Sequence, residues 1–214
     1  MLSFAVAGFV ALAAAPTFAA TIDGGLAAGQ DLTRNVTESN DAVVFSEATD
    51  VTVGSGITVD YLVGTNLSVG DTATGINTFS SGETLTAGTY DSYLIHFDPI
   101  STGSVTGTWD FGATIVGIFL TNSGAETLLD ASDLIFGTAD EYDDHLGRRT
   151  EDSDTFTLLD DTTLSFSLST NANHIDNIRV LTTIAAVPLP ASALLLLSGF
   201  AAMGAMRRKA SRTA

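Results

Sequence analysis

The chain has 214 residues, no cysteine and a formal net charge of −17, from 25 acidic and eight basic residues. The lack of cysteine excludes disulfide bonds, thiol nucleophiles and thiolate metal sites. The negative charge disfavours binding to nucleic acid or to anionic lipid.

The first 19 residues have the composition of a secretory signal peptide. No charged residue occurs before residue 21, and an apolar core precedes Pro16-Thr17-Phe18-Ala19-Ala20. Thr17 and Ala19 provide the small residues that favour cleavage by signal peptidase after Ala19. The segment lacks the usual basic residue near its start, so an uncleaved N-terminal membrane anchor is the alternative.

Residues 20–186 form the predicted exported domain. All 25 acidic residues lie in this span against four arginines and no lysine, which gives the domain a net charge of −21. This length suffices for one domain that buries a core without disulfide bonds. The composition is typical of a solubilised extracellular domain or of one that attracts cations.

Apolar and polar residues alternate in this domain with a period of two, which predicts β-strands. Val51–Val53 and Ile57–Val63 flank Gly54-Ser55-Gly56 and predict a hairpin. Tyr93, Ile95 and Phe97 are expected to share one face of a strand that Asp98-Pro99 ends. Further strands are predicted at 105–111, 115–120, 156–158, 164–168 and 175–181, and one short helical turn at 130–134.

At least eight short strands, with turn signals about ten residues apart, predict an all-β fold. We expect a two-sheet sandwich, with a jelly roll as its more detailed form. No internal repeat is found, which disfavours a propeller or a β-helix.

The densest polar region lies at 140–154. Ca²⁺ takes six to eight oxygen ligands, and the candidate ligands in this region are Asp140, Glu141, Asp143 and Asp144. The spacing of an EF-hand is absent. The alternative is a solvated acidic loop whose two arginines, Arg148 and Arg149, pair with neighbouring residues.

Known catalytic motifs are absent from the sequence. It contains no Gly-x-Ser-x-Gly elbow, no Walker loop and no dinucleotide fingerprint, and His96, His145 and His174 are too dispersed for a zinc motif. A glycosidase needs two carboxylates across a cleft, but 25 acidic residues provide such pairs by chance. We therefore predict that the protein is not an enzyme.

The C-terminal segment 187–214 combines three features. Val187-Pro188-Leu189-Pro190-Ala191 opens an 18-residue apolar run, Leu189–Met206, and basic residues follow at Arg207, Arg208, Lys209 and Arg212. As a helix the run would span about 27 Å, close to the thickness of a hydrocarbon core. The basic residues predict a cytoplasmic tail. A buried C-terminal helix of a soluble domain is the alternative.

This tripartite segment resembles the PEP-CTERM sorting signals of exosortase-processed proteins, in the VPLPA-CTERM variant. The resemblance covers about 25 of the 214 residues. It implies that an exosortase recognises residues 187–191, that the protein passes through the inner membrane, and that it reaches the cell surface or the extracellular space.

The last predicted strand carries a second resemblance. His174-Ile175-Asp176-Asn177-Ile178-Arg179-Val180 resembles the final strand of exported β-sandwich and carbohydrate-module-like domains, and parts of 93–154 resemble a recurring PEP-CTERM exported domain. This resemblance implies that Asp176 holds a structural calcium ion. The alternative is an edge strand whose polar residues face solvent.

Three functions remain open for the exported domain. The leading hypothesis is a structural or adhesive surface protein, embedded in exopolysaccharide and stabilised by calcium. The second is a glycan-binding module, which exposed aromatic side chains in a row on one sheet would indicate. The third is a polysaccharide hydrolase, which requires a cleft with paired carboxylates of shifted pKa.

Overall fold

The computed structural model describes residues 21–23, 31–33, 39–75, 82–120, 128–139, 141–143, 148, 150, 153–170 and 174–184. All of them belong to the compact unit Met1–Ile184. The predicted signal peptide, the motif at 187–191, the apolar run and the basic residues Arg207, Arg208 and Lys209 lie outside the described residues. Within those residues, no helix has the length and apolar character needed to cross a membrane.

The described elements are mostly short strands, as the alternation predicts. In chain order they are β1 (Thr21–Asp23), β2 (Asp31–Leu32), β3 (Val43–Val53), β4 (Ile57–Val59), β5 (Tyr61–Leu62), β6 (Thr72–Thr74), β7 (Glu83–Leu85), β8 (Gly88–Phe97), β9 (Gly103–Asp110), β10 (Ile115–Leu120), α1 (Leu128–Phe136), β11 (Glu141–Tyr142), β12 (Thr155–Leu158), β13 (Thr163–Thr170) and β14 (Asp176–Thr183).

Two larger sheets build the fold. One has six strands in the order β1-β3-β8-β14-β10-β5, and the other has four in the order β6-β12-β13-β9. Two small sheets, β2 with β11 and β4 with β7, complete the described part of the chain. Neighbouring strands are antiparallel except for the β1–β3 and β2–β11 pairs. The all-β sandwich prediction is confirmed.

The main core lies between the two large sheets. Ile95, Phe97, Ile178 and Val180 from the six-stranded sheet meet inward side chains of the four-stranded sheet, among them Phe156, Leu158, Leu164, Phe166 and Leu168. The predicted shared face of Tyr93, Ile95 and Phe97 is confirmed, because all three contact this core. It results from the alternation of side chains along β8.

A second core covers the opposite face of the six-stranded sheet. Phe45, Leu94, Phe119 and Leu181 pack there with residues of α1 and of the small sheets, Leu32, Val59, Leu85, Leu129 and Phe136. The six-stranded sheet is therefore buried on both faces. This explains why β10, as predicted for a central strand, is apolar at nearly every position.

Two expectations about strand pairing are wrong. The segments around Gly54-Ser55-Gly56 do not form a hairpin, because β3 pairs with β1 and β8 while β4 pairs with β7. Likewise β14 is not an edge strand: it lies between β8 and β10, and Asp176–Thr182 are buried. The alternation of apolar and polar residues within one strand does not indicate which distant strand pairs with it.

Two local predictions are confirmed or extended. β12 and β13 form the predicted antiparallel pair around the Asp160–Thr163 turn, where Asp160 accepts the backbone N–H of Thr162. The helical turn expected at 130–134 is a nine-residue helix. Its buried residues, Leu129, Ser132 and Phe136, have the spacing of one helical face.

Candidate functional site

The predicted calcium ligands are only partly described. Asp140 and Asp144 lie outside the described residues, as does the side chain of Glu141 on β11, and Asp143 directly follows that strand. Asp176 opens β14 and is fully buried, on the strand face that carries Ile178 and Val180. Among the described residues, no group of three histidine or acidic side chains is arranged to hold a metal ion. The calcium site stays a prediction.

A network of buried charges lies instead on the other face of the six-stranded sheet, beneath α1. We name Glu47, Asp133, Tyr142, Arg148 and Arg179 the arginine network. Both guanidinium groups are fully buried, at 0% exposure. A buried charge is tolerated only when it is paired and hydrogen-bonded, so each contact in this network matters.

Arg179 on β14 is the centre of the network. Its Nε and Nη2 donate to the two carboxylate oxygens of Glu47 at 2.7 and 2.6 Å, and Nη2 also donates to Asp133 Oδ1 at 2.8 Å. Its Nη1 donates to the Ser132 hydroxyl. Burial acts to lower the pKa of Arg179, but the charges of Glu47 and Asp133 outweigh burial and raise it. Arg179 is therefore permanently charged.

A β-bulge aims Glu47 at this arginine. Ser46 pairs with Tyr93 and Ala48 with Ser92, which leaves Glu47 as the extra residue of β3. Bulges commonly redirect a side chain in this way. The Ser92 hydroxyl donates to Glu47 Oε2 at 3.0 Å, so the carboxylate is fixed from its own sheet as well.

Arg148 extends the network toward β8. Its Nη1 donates to Asp133 Oδ2 at 2.5 Å, so Asp133 bridges the two arginines. The Asn177 amide is assigned with its oxygen accepting from Arg148 Nε at 3.0 Å and its nitrogen donating to His96 Nδ1 at 2.8 Å, because this orientation satisfies both groups. Burial, together with the positive charge of Arg148, lowers the pKa of His96 to about 4. His96 is therefore neutral at physiological pH.

Tyr142 on β11 closes the network. Its hydroxyl donates to Glu47 Oε1 at 2.5 Å and accepts from the backbone N–H groups of Thr138 and Ala139. Its ring lies 5.1 Å from the guanidinium carbon of Arg148 and 5.9 Å from that of Arg179, within the range of a cation–π contact. Burial and the adjacent Glu47 charge raise the pKa of Tyr142, so the phenol stays protonated.

The geometry of this network is that of a clamp. It joins β3, β14, α1 and the segment from β11 to Arg148 through contacts between residues far apart in sequence. The Glu47 carboxylate accepts four hydrogen bonds, two of them from Arg179. A carboxylate engaged in this way stabilises the fold.

Little of this network could be predicted from the sequence. The alternative of a solvated acidic loop whose arginines pair with neighbouring residues is wrong for Arg148, which is buried and pairs with Asp130 and Asp133 on α1, 18 and 15 positions earlier in the chain. The roles of Glu47, Asp133 and Arg179 were missed. One signal was present: Arg179 stands among Ile178, Val180 and Leu181, where an unpaired charge would be very costly.

The features expected of the two alternative functions are not prominent in the described residues. Trp109 is half-buried against the main core, and the large exposed apolar side chains are aliphatic: Val69, Ile100, Leu134, Ile135, Leu159 and Ile184. Among the described residues, the lining of a cavity of about 350 Å³ next to β9 includes one carboxylate, Asp41, and that of a cavity of about 260 Å³ beside α1 includes none. These described linings contain no pair of carboxylates.

Comparisons with known protein families, curated proteins and solved structures found no match to this chain. The functional proposal therefore rests on the residues and on the fold that they build.

Proposed function

We propose that this chain is an exported protein whose acidic β-sandwich acts as a structural or adhesive module at the cell surface or in the extracellular matrix. The N-terminal signal peptide 1–19 starts export, and the C-terminal segment 187–214 directs sorting. An exosortase, signal peptidase and surrounding exopolysaccharide are the proposed partners. A jelly roll remains the proposed detailed topology of the sandwich.

The observation that carries this proposal is the order of features at the C-terminal side of the sandwich. The last strand among the described residues ends at Thr183. Val187-Pro188-Leu189-Pro190-Ala191, the apolar run and the basic residues follow in that order. A processing motif so close to a folded domain lets cleavage release that domain as a unit.

The sequence supports a physical account of the sorting step. Two prolines within residues 187–191 disfavour a regular helix there, which keeps the backbone extended and accessible to an enzyme. The apolar run would hold the substrate in the membrane beside that enzyme, while Arg207, Arg208 and Lys209 would stay on the cytoplasmic side.

The clamp supports a structural role for the domain. The two described arginines are enclosed inside, so neither reduces the negative charge of the surface. A rigid, acidic exterior suits a secreted module that must stay soluble in a crowded matrix.

Mass spectrometry of the surface-located protein tests the sorting proposal. We expect a C-terminus near residues 187–191 and no peptide from Ser192–Met206. Pro188→Ala combined with Pro190→Ala should retain the full C-terminal segment and shift the protein to the membrane fraction, whereas the control Ser198→Ala should be processed normally. An intact Ser192–Met206 peptide in the wild-type surface form would show a permanent single-pass anchor instead.

A further inference from the structure

The outer face of the four-stranded sheet is almost entirely covered by hydroxyl side chains. Its strands alternate between inward apolar residues and outward serine or threonine. We name eleven outward residues the hydroxyl face: Thr72, Thr74, Ser104, Thr106, Thr108, Thr155, Thr157, Thr163, Ser165, Ser167 and Ser169.

The strand register arranges these hydroxyls as a lattice. One row crosses all four strands as Thr74, Thr155, Ser167 and Thr106, and the next as Thr72, Thr157, Ser165 and Thr108. Strand spacing and residue rise make this lattice about 14 Å across the strands and about 20 Å along β13. Its hydroxyls also bond one another, as Thr72 and Thr157 do at 2.7 Å.

The composition of the hydroxyl face differs sharply from that of the domain around it. The domain carries 25 acidic residues, yet among the outward positions of β6, β9, β12 and β13 only Asp110, at the end of β9, is charged. Acidic side chains are at the margins, where Asp154 accepts from the Ser169 hydroxyl and Asp41 lies near Ser104 and Thr106. Strand propensity explains threonine here, but it does not explain why acidic residues are so few at the outward positions of a solvent-facing sheet.

We propose that the hydroxyl face binds a neutral polysaccharide. Charge complementarity selects this partner: an anionic polymer is repelled by the surrounding domain, and a cationic one would prefer the acidic surfaces. An apolar partner finds no large apolar side chain among the outward positions of these four strands. A polymer of uncharged sugars presents repeated hydroxyl groups, each of which donates and accepts hydrogen bonds as serine and threonine do.

The energetics require a polymer rather than a single sugar. Each hydroxyl pair formed in water contributes only about 0.5–1.5 kcal/mol net, so a monosaccharide would bind weakly. A polysaccharide with regularly repeating sugars can contact several rows of hydroxyls at once. Its affinity is higher because these weak contacts are made by one connected molecule. This inference deepens the proposed matrix role by naming the ligand class of the domain, and it rests on that role for its biological setting.

The test uses full-length protein in mild detergent, sedimented with insoluble neutral glucans: cellulose, starch granules and cross-linked dextran. We expect saturable binding to at least one of them and weaker binding to alginate gel, which is anionic. Thr106→Val, Thr108→Val and Thr157→Val together remove three hydroxyls at nearly constant shape, and should weaken binding by about tenfold or more.

Two matched variants separate hydroxyl chemistry from other effects. The double variant Thr52→Val, Thr89→Val removes two exposed hydroxyls on β3 and β8, whose oxygens are 3.2 Å apart. Its affinity for the glucan should stay within about twofold of the wild-type affinity. Serine at positions 106, 108 and 157 keeps the hydroxyls and should retain most of the affinity. Circular dichroism and melting temperature verify that every variant is folded.

Several outcomes would overturn the proposal. They are no binding to any of the three glucans, equal binding by the triple valine variant, or alginate binding as tight as glucan binding. Growth inhibition of ice crystals without glucan binding would assign the face to ordered water instead. Because sorting is measured separately by mass spectrometry, a failure here leaves the proposed function standing.

Discussion

At the scale of single residues, Arg179 shows how a charge is accommodated inside a sheet that is apolar on both faces. Its guanidinium donates five hydrogen bonds of 3.3 Å or less, to Glu47, Asp133, Ser132 and the Leu129 carbonyl. These contacts offset the large cost of removing the charge from water. The arrangement is sensitive, because loss of one partner leaves the other charge buried and unpaired.

Substitution of Glu47 tests this sensitivity. Glu47→Gln keeps the shape of the side chain but removes the charge that faces Arg179, and should lower the free energy of unfolding by about 3–5 kcal/mol. Asp161→Asn in the β12–β13 turn is the control, since Asp161 is exposed and surface substitutions cost about 0.5 kcal/mol or less. Urea denaturation measures both, and similar costs for the two variants would contradict the clamp.

The lowered pKa of His96 leads to a second prediction, which concerns the pH dependence of stability. The folded protein holds His96 neutral with a pKa of about 4, against 6.5 in the unfolded chain. Between these values the unfolded state binds more protons, so stability falls as the pH is lowered, by up to about 3 kcal/mol from this group.

Among the described residues, the charged and titratable groups of the arginine network and its partners lie on the same sheet face as His96: Glu47, Asp130, Asp133, Tyr142, Arg148 and Arg179. His96→Gln keeps an acceptor for Asn177 but does not titrate in this range. We expect the stability difference between wild type and this variant to be constant above pH 7 and to shrink, then reverse, toward pH 4. A difference that does not vary with pH would contradict a buried neutral imidazole.

At the scale of elements, helix α1 depends on its polar contacts as much as on its apolar ones. Leu129 and Phe136 pack in the second core, while Ser132 and Asp133 between them bind Arg179. A nine-residue helix is too short to be stable alone in water. Helix α1 is therefore stable only because it packs on the sheet below it. For this reason the local sequence predicted only one helical turn there.

The strand that opens with Asp176 carries the calcium prediction. If Asp176 or the acidic segment binds calcium, millimolar calcium should raise the melting temperature relative to excess chelator, because the ion binds only the folded state. If Asp176 is a ligand, Asp176→Asn should abolish this calcium-dependent shift, and if the acidic segment alone binds the ion, Asp176→Asn should preserve it; Asp160→Asn in the exposed β12–β13 turn should preserve it in both cases. Identical wild-type melting curves in calcium and in chelator would remove the site.

At the scale of the whole molecule, charge is segregated. The described arginines are inside, the outward strand positions of the hydroxyl face carry one charged residue, Asp110, and the exported domain as a whole has a large excess of acidic over basic residues. On the proposals above, the acidic surface would favour solubility and the uncharged sheet would contact the polysaccharide.

The sequence by itself determined the features that depend on near neighbours. Alternation fixed the strands and their inward faces, as in Tyr93, Ile95 and Phe97, and Asp160-Asp161-Thr162-Thr163 fixed a turn, since both depend on residues within a few positions. The C-terminal signal is likewise local, and its function stays a prediction.

Only the tertiary structure decided which distant segments meet. It placed Ile57–Val59 beside Glu83–Leu85 rather than in a local hairpin, put β14 at the middle of its sheet, and joined Arg179 to Glu47 across 132 positions of sequence. It also aligned the hydroxyls of four strands into one lattice. These four arrangements have the same physical reason. Which strands and which charges pair depends on how the whole core is buried, and no short window of sequence contains that information.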